Sequence, residues 1–76
     1  MSNEFPVVQG KEILRALRKA GWEVFHVRGS HHQLEHTLKK KKVTIPIHAG
    51  KDLKRKTLKS ILEKVEMSMD EFRKLL

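Results

Sequence analysis

The chain has 76 residues with 17 Lys and Arg against 9 Asp and Glu, a formal charge of +8, one Trp, no Tyr and no Cys. A single domain of this length buries only about 60% of its unfolded surface, which leaves room for one small core and one shallow site and excludes an enclosed cofactor pocket. Without cysteine there is no disulfide framework, thiolate zinc site, iron–sulfur cluster or thiol nucleophile, and a reducing cytoplasm is the expected home.

In chain order, Ile13, Leu14, Leu17 and Ala20 recur at helical spacing, with Lys and Arg between them and Gly21 placed as a stop, so Lys11 to Ala20 reads as an amphipathic helix. Trp22 to Arg28 is rich in aromatic and β-branched residues and is followed by the turn pair Gly29-Ser30, which predicts a hairpin. His31 to Leu38 then alternates, with His31, Gln33 and Glu35 on one face of a strand and His32, Leu34 and His36 on the other. Lys39, Lys40, Lys41 and Lys42 are expected to form the next turn. Val43, Ile45 and Ile47 describe a strand with one buried face, and Pro46, which cannot donate to a ladder, places it at an edge or ends it. After His48-Ala49-Gly50, the residues Leu58, Ile61, Leu62 and Val65 mark a second helix. Ser68 and Glu71 are spaced as a capping box for a short third helix, with Met67 and Phe72 as its staple. Trp22, Phe25 and Phe72 sit among apolar neighbours and read as core. The expected fold is α+β: one two-layer domain over residues 1–76 (core about 9–75), with a three-stranded antiparallel sheet and helices on one face, since the connections are too short for parallel crossovers.

The charge is unevenly placed. Residues 1–38 carry net +1 and residues 60–76 net −1, so the whole +8 falls in residues 39–59, on Lys39, Lys40, Lys41, Lys42, Lys51, Lys54, Arg55, Lys56 and Lys59 against Asp52. Such a strip suits a polyanion, nucleic acid ahead of acidic lipid or an acidic protein. Met1 to Gly10 lacks the basic start and apolar run of an export signal, and nowhere do 18 apolar residues occur together, so neither export nor a membrane span is expected. A peripheral membrane binder is disfavoured because the charge lies in loops, away from bulky apolar residues on a helix.

The five histidines fall between Val24 and His48. His32-Gln33-Leu34-Glu35-His36 matches a zinc-peptidase pattern, but that chemistry needs a helix; on a strand His32 and His36 lie about 13 Å apart. A zinc site from His26, His36 and His48 is open but unsupported, and no metal or other cofactor is expected. Acid–base work suits imidazole, whose ordinary pKa near 6.5 lets it take and give a proton near neutrality. In RNA cleavage the proton taken is that of the 2′-hydroxyl, whose oxygen then attacks its own phosphate without a metal. His31 and His32 follow the Gly29-Ser30 turn, which lets backbone approach a phosphate closely, and the cationic strip could hold the phosphates. Base-reading motifs are absent: there is no aromatic pair on adjacent strands, no recognition helix and no Gly-x-x-Gly clamp.

Gly10-Lys11-Glu12-Ile13-Leu14 leading to Leu17, Ala20-Gly21-Trp22, Arg28-Gly29-Ser30-His31-His32, Val43-Thr44-Ile45-Pro46-Ile47-His48 and Lys56-Thr57-Leu58-Lys59-Ser60-Ile61-Leu62 together resemble the HicA family of toxins. Ser68-Met69-Asp70-Glu71-Phe72 fits as well, so the resemblance runs in order from about Gly10 to Leu75. It implies a bacterial or archaeal toxin that cleaves messenger RNA, a HicB-type antitoxin partner, and a fold like the double-stranded RNA-binding domain. The family's functional His, that of its Gly-Ser-His element, falls on His31; some members place it one position later, at His32. Alternation favours His31, which shares the polar face with Gln33 and Glu35. The expectation is thus an endoribonuclease with His31 as general base or acid and His32 in reserve. A second imidazole, His32 or His48, is a candidate partner. Gly29, Ser30 and the nine cationic residues of the strip are expected to bind RNA. A non-catalytic RNA-binding module of the same fold is the alternative. The antitoxin is expected to silence the site by masking its charge with an acidic or mixed-charge surface over His31 and the lysines.

Overall fold

A computed structural model describes residues 6–76. Of the reading of the first ten residues as free of an export signal, residues 1–5 lie outside the described part. The chain runs α1 (Gly10–Lys19), β1 (Trp22–Arg28), β2 (His31–His36), β3 (Lys41–Pro46), α2 (Arg55–Lys64) and α3 (Met69–Leu75). The strands form one antiparallel sheet in the order β1-β2-β3, so β2 is central and β1 and β3 are edges. This is the α+β arrangement expected from the sequence. Pro46 is the last residue of the edge strand β3.

The core is built where the two periodicities meet. Ile13, Ala16 and Leu17 from α1, Leu58, Ile61, Leu62 and Val65 across α2 and its C-terminus, and Phe72 from α3 are buried against Trp22, Leu34, Val43 and Ile45 from the sheet. All three helices therefore occupy one side, and the other side of the sheet faces water. Removing about 25 cal/mol per Å² of apolar surface from water is what holds so small a unit together.

Helix ends are fixed locally. The Gln9 N–H donates to Glu12 Oε2 at 2.7 Å and so ties down the start of α1. At α2 the Met67 N–H reaches the Leu62 carbonyl at 3.0 Å and the Glu66 N–H the Glu63 carbonyl at 3.2 Å, the two bonds of a Schellman ending. Glu66 takes the left-handed position of that motif (φ 57°), and its carboxylate meets Lys41 Nζ at 2.6 Å, joining the helix end to the start of β3. At α3 the Ser68 hydroxyl accepts from the Glu71 N–H at 3.1 Å, while the Ser68 N–H donates to Glu71 Oε1 at 2.9 Å, completing the expected capping box.

The Glu71 carboxyl titrates below its ordinary 4.5 because the Ser68 backbone and then the Ser68 side chain hydrogen-bond its charged form. The folded value lies below the unfolded one, so this stabilisation is present above pH 4.5 and is lost as pH falls through the folded value. Glu71→Gln keeps the cap geometry without the titration. Denaturant melts at neutral pH and below pH 4 should therefore show a shallower acid loss in Glu71→Gln than in the native chain; equal slopes would contradict this account.

Two expectations are corrected. The turn between β2 and β3 is Thr37 to Lys40, closed by the Lys40 N–H on the His36 carbonyl at 2.8 Å, so β2 stops at His36 and Lys41 and Lys42 are strand residues. The His36 ring sets this boundary: it is buried edge-on to Trp22, and its Nδ1 accepts from the Lys39 N–H at 3.2 Å. Phe25 is not core; it stands 43% exposed on the open side of the sheet.

Candidate functional site

Arg28-Gly29-Ser30-His31 closes the β1–β2 hairpin. Gly29 has φ 59° and Ser30 does not take a positive φ, the pattern of a II′ turn with glycine at its first central position. The turn is anchored from below, because the Ser30 carbonyl accepts the Ile47 N–H at 2.7 Å. His31 then begins β2 between two cross-strand partners, Arg28 on β1 and Pro46 on β3. Its side chain is exposed and makes no hydrogen bond or ion pair with another described residue. The result is an unencumbered imidazole on a rigid strand end.

His32 points the other way. It pairs with Val27 and Ile45, is half-buried on the helix side, and its Nδ1 is enclosed with no partner among the described residues. His36 is buried farther along the same side, with Nε2 3.2 Å from the Ala20 carbonyl; because Nδ1 is already an acceptor, the ring proton sits on Nε2. His26 is exposed on β1 opposite Gln33, and His48 is exposed beyond the end of β3. The structure therefore does not bring His26, His36 and His48 together, and no cluster of three His, Asp or Glu side chains suited to a metal occurs among the described residues.

A bulge between Val24 and His26 decides which side chains share the open face with His31. Val24 pairs with Leu34 and faces the helices; the register then slips, so Phe25 and His26 both lie opposite Gln33, and Arg28 comes out beside His31. His26 is thereby a diagonal neighbour of His31, about 7–8 Å away by strand geometry. Sequence reasoning missed His26, Arg28 and Phe25 as residues of this face. One signal existed for Phe25: it lies three positions from Trp22, and a strand with one buried face cannot bury both.

The cationic strip divides in two. Lys39 and Lys40 lie at the β2–β3 turn, and Lys41 and Lys42 pair with His36 and Glu35, so this group sits at the end of the sheet opposite His31, about 17 Å along β2. Lys41 is bound to Glu66, and the Lys42 ammonium lies 5.1 Å from the centre of the Phe25 ring. The second group lies at the His31 end. Pro46, His48, Lys51, Lys54 and Thr57, with Asp52 as the one acidic residue and Leu53, line a shallow cleft beside the start of α2. Lys54 is the N-cap of that helix, Arg55 and Lys56 follow it, and no acidic residue occupies the first turn. Cations at a helix N-terminus oppose the helix dipole, so this end concentrates positive potential.

These features define a class: a small basic α+β domain with helices on one side of its sheet and, on the other, an open face ending in an exposed histidine. The family model described as the HicA toxin of bacterial toxin–antitoxin systems matches residues 10–67, and the chain belongs to this family. A comparison with curated proteins found no match. Membership makes this a toxin component with an antitoxin counterpart. Among the described residues no helix is long and apolar enough to cross a membrane.

Proposed function

We propose that this toxin is an endoribonuclease that cleaves messenger RNA without a metal, with His31 as its acid–base group. The observation that carries the reading is the placement of His31: exposed, its ring without a partner among the described residues, and fixed at the end of a tight turn beside Arg28 and the cationic start of α2. His31 takes the 2′-hydroxyl proton; the freed oxygen bonds to the adjacent phosphorus, and the bond to the 5′-oxygen of the next nucleotide breaks. That oxygen leaves with a proton from a second acid. His26, diagonal to His31 on the same face, and His48, beyond Pro46, are the groups placed to supply it, whereas His32 faces the helices. The products are a 2′,3′-cyclic phosphate and a 5′-hydroxyl.

Arg28, Lys51, Lys54, Arg55, Lys56 and Lys59 hold backbone phosphates near the cut, and the glycine at position 29 lets the chain approach without side-chain hindrance. Lys39, Lys40 and Lys42 meet the strand farther along. A HicB-type antitoxin silences the toxin by covering His31 and neutralising these cations. The test is incubation of single-stranded RNA with the purified protein in excess chelator. Cleavage with the product ends named above is expected. Salt-sensitive RNA binding without cleavage would overturn the enzyme reading and leave a binding module.

A further inference from the structure

The open face of the sheet holds a second feature that the acid–base chemistry does not use. Phe25 stands on it 43% exposed, and with Gln33, Lys42, Val43, Thr44 and, from the end of α2, Lys64 it lines a shallow groove reached by all three strands. Core packing does not explain an aromatic ring here, because Phe25 is neither in the core cluster nor packed against it. We propose that this groove receives an unpaired RNA base stacked on Phe25, so that the substrate is single-stranded RNA drawn along β2 with its scissile phosphate at His31. The inference rests on the ribonuclease reading and adds to it a path and a positioning residue.

Three observations point to a nucleotide as the occupant. The first is distance: Phe25 lies beside His26 opposite Gln33, one strand over and two residues along from His31, about 8 Å by strand spacing, which a nucleotide or two spans. The second is chemistry. Gln33 lies between them with an amide able both to donate to and accept from a base edge, and Thr44 beyond it adds a hydroxyl. The third is Lys42, whose ammonium covers the ring at 5.1 Å. At an exposed site a cation over a ring is held more weakly than a stacked base, so a base can displace Lys42, leaving its charge for the neighbouring phosphate. Glu23 and Glu35 pair side by side toward the Trp22 end of this face, and their charge directs phosphates toward Arg28 and His31. A duplex keeps its bases stacked on each other and cannot offer one to Phe25.

The test uses the full chain carrying His31→Ala, so that binding is read without cleavage, and a labelled single-stranded RNA. Phe25→Ala and Phe25→Leu should each weaken binding about 10- to 100-fold, while Phe25→Trp should retain it. Trp22 is fully buried and out of reach of a stacked base, so the change in emission on adding RNA is that of a new Trp at position 25: its fluorescence should be quenched by single-stranded RNA and much less by a blunt duplex. Circular dichroism is expected unchanged, since Phe25 lies outside the core. Native affinity in Phe25→Leu, or equal quenching by duplex, would overturn the proposal. So would intact RNA binding in Phe25→Ala with lost neutralisation by the antitoxin, which would make the groove a protein contact. The two readings fail separately: quenching and weakened binding in a chain that never cleaves would remove the enzyme and keep the groove, and cleavage indifferent to Phe25→Leu would do the reverse.

Discussion

Replacing His31 with Ala should lower RNA cleavage by a factor of about 10²–10⁴, the usual worth of a positioned acid or base, and leave RNA affinity and thermal midpoint close to native. The separation is expected because His31 is exposed and contributes nothing to the core, while the cations proposed to hold phosphates are other residues. His32→Ala should behave in the opposite way. Its ring is half-buried between Val27 and Ile45, so its loss leaves a void on the helix side, lowering the midpoint while the folded enzyme still cleaves. Cleavage lost in His32→Ala and kept in His31→Ala would reverse the assignment.

Gly10→Ala should destabilise the protein by about 1–3 kcal/mol, although alanine favours a helix over glycine by about 1 kcal/mol. A Cβ at position 10 would run into the Pro46 carbonyl oxygen and the Ile47 side chain, where the start of α1 presses on the end of β3. In a domain of this size each kcal/mol lowers the thermal midpoint by about 4–8 °C. The damage should also reach the site, because Pro46 is the cross-strand partner of His31 and the Ile47 N–H holds the Ser30 carbonyl. Reduced cleavage by the folded fraction is the expected second effect. Gly29 provides the contrast: nothing lies within 4 Å of a Cβ there, and only its φ of 59° demands glycine. A side chain at position 29 meets backbone strain alone, about 1–3 kcal/mol, whereas one at position 10 also runs into packed backbone, so Gly29→Asn should cost less than Gly10→Asn. Equal losses at the two positions would contradict the steric account.

Much of this arrangement is legible in the residue pattern, and the parts that are not have identifiable causes. The alternation of His31 to His36 separates an exposed His31 from an inward His32 because a strand has period 2, and the sheet keeps that period throughout β2. The same rule fails on β1. A bulge adds one residue after Val24, reverses the parity downstream and turns His26 and Arg28 outward; no local turn residue announces it. The lysine tetrad reads as a loop by composition, yet the loop is set two residues earlier by the buried His36 ring and its bond from the Lys39 N–H. The contact of Gly10 with Pro46 is a tertiary event between residues far apart in the chain, and nothing in either neighbourhood encodes it. Likewise, two cationic clusters separated by eight residues in sequence come to lie at opposite ends of the sheet once β3 is laid between them.

The most direct test of the central claim is cleavage, in excess chelator, of one RNA oligonucleotide and of the same oligonucleotide with a single 2′-deoxynucleotide on the 5′ side of the mapped cut. If His31 activates the 2′-hydroxyl, the native RNA is cut to a 2′,3′-cyclic phosphate and the deoxy substrate survives at that position while binding equally well. Cleavage of the deoxy substrate at the same bond, or a 5′-phosphate on the downstream fragment, would mean that water is the nucleophile and that the role assigned to His31 is wrong.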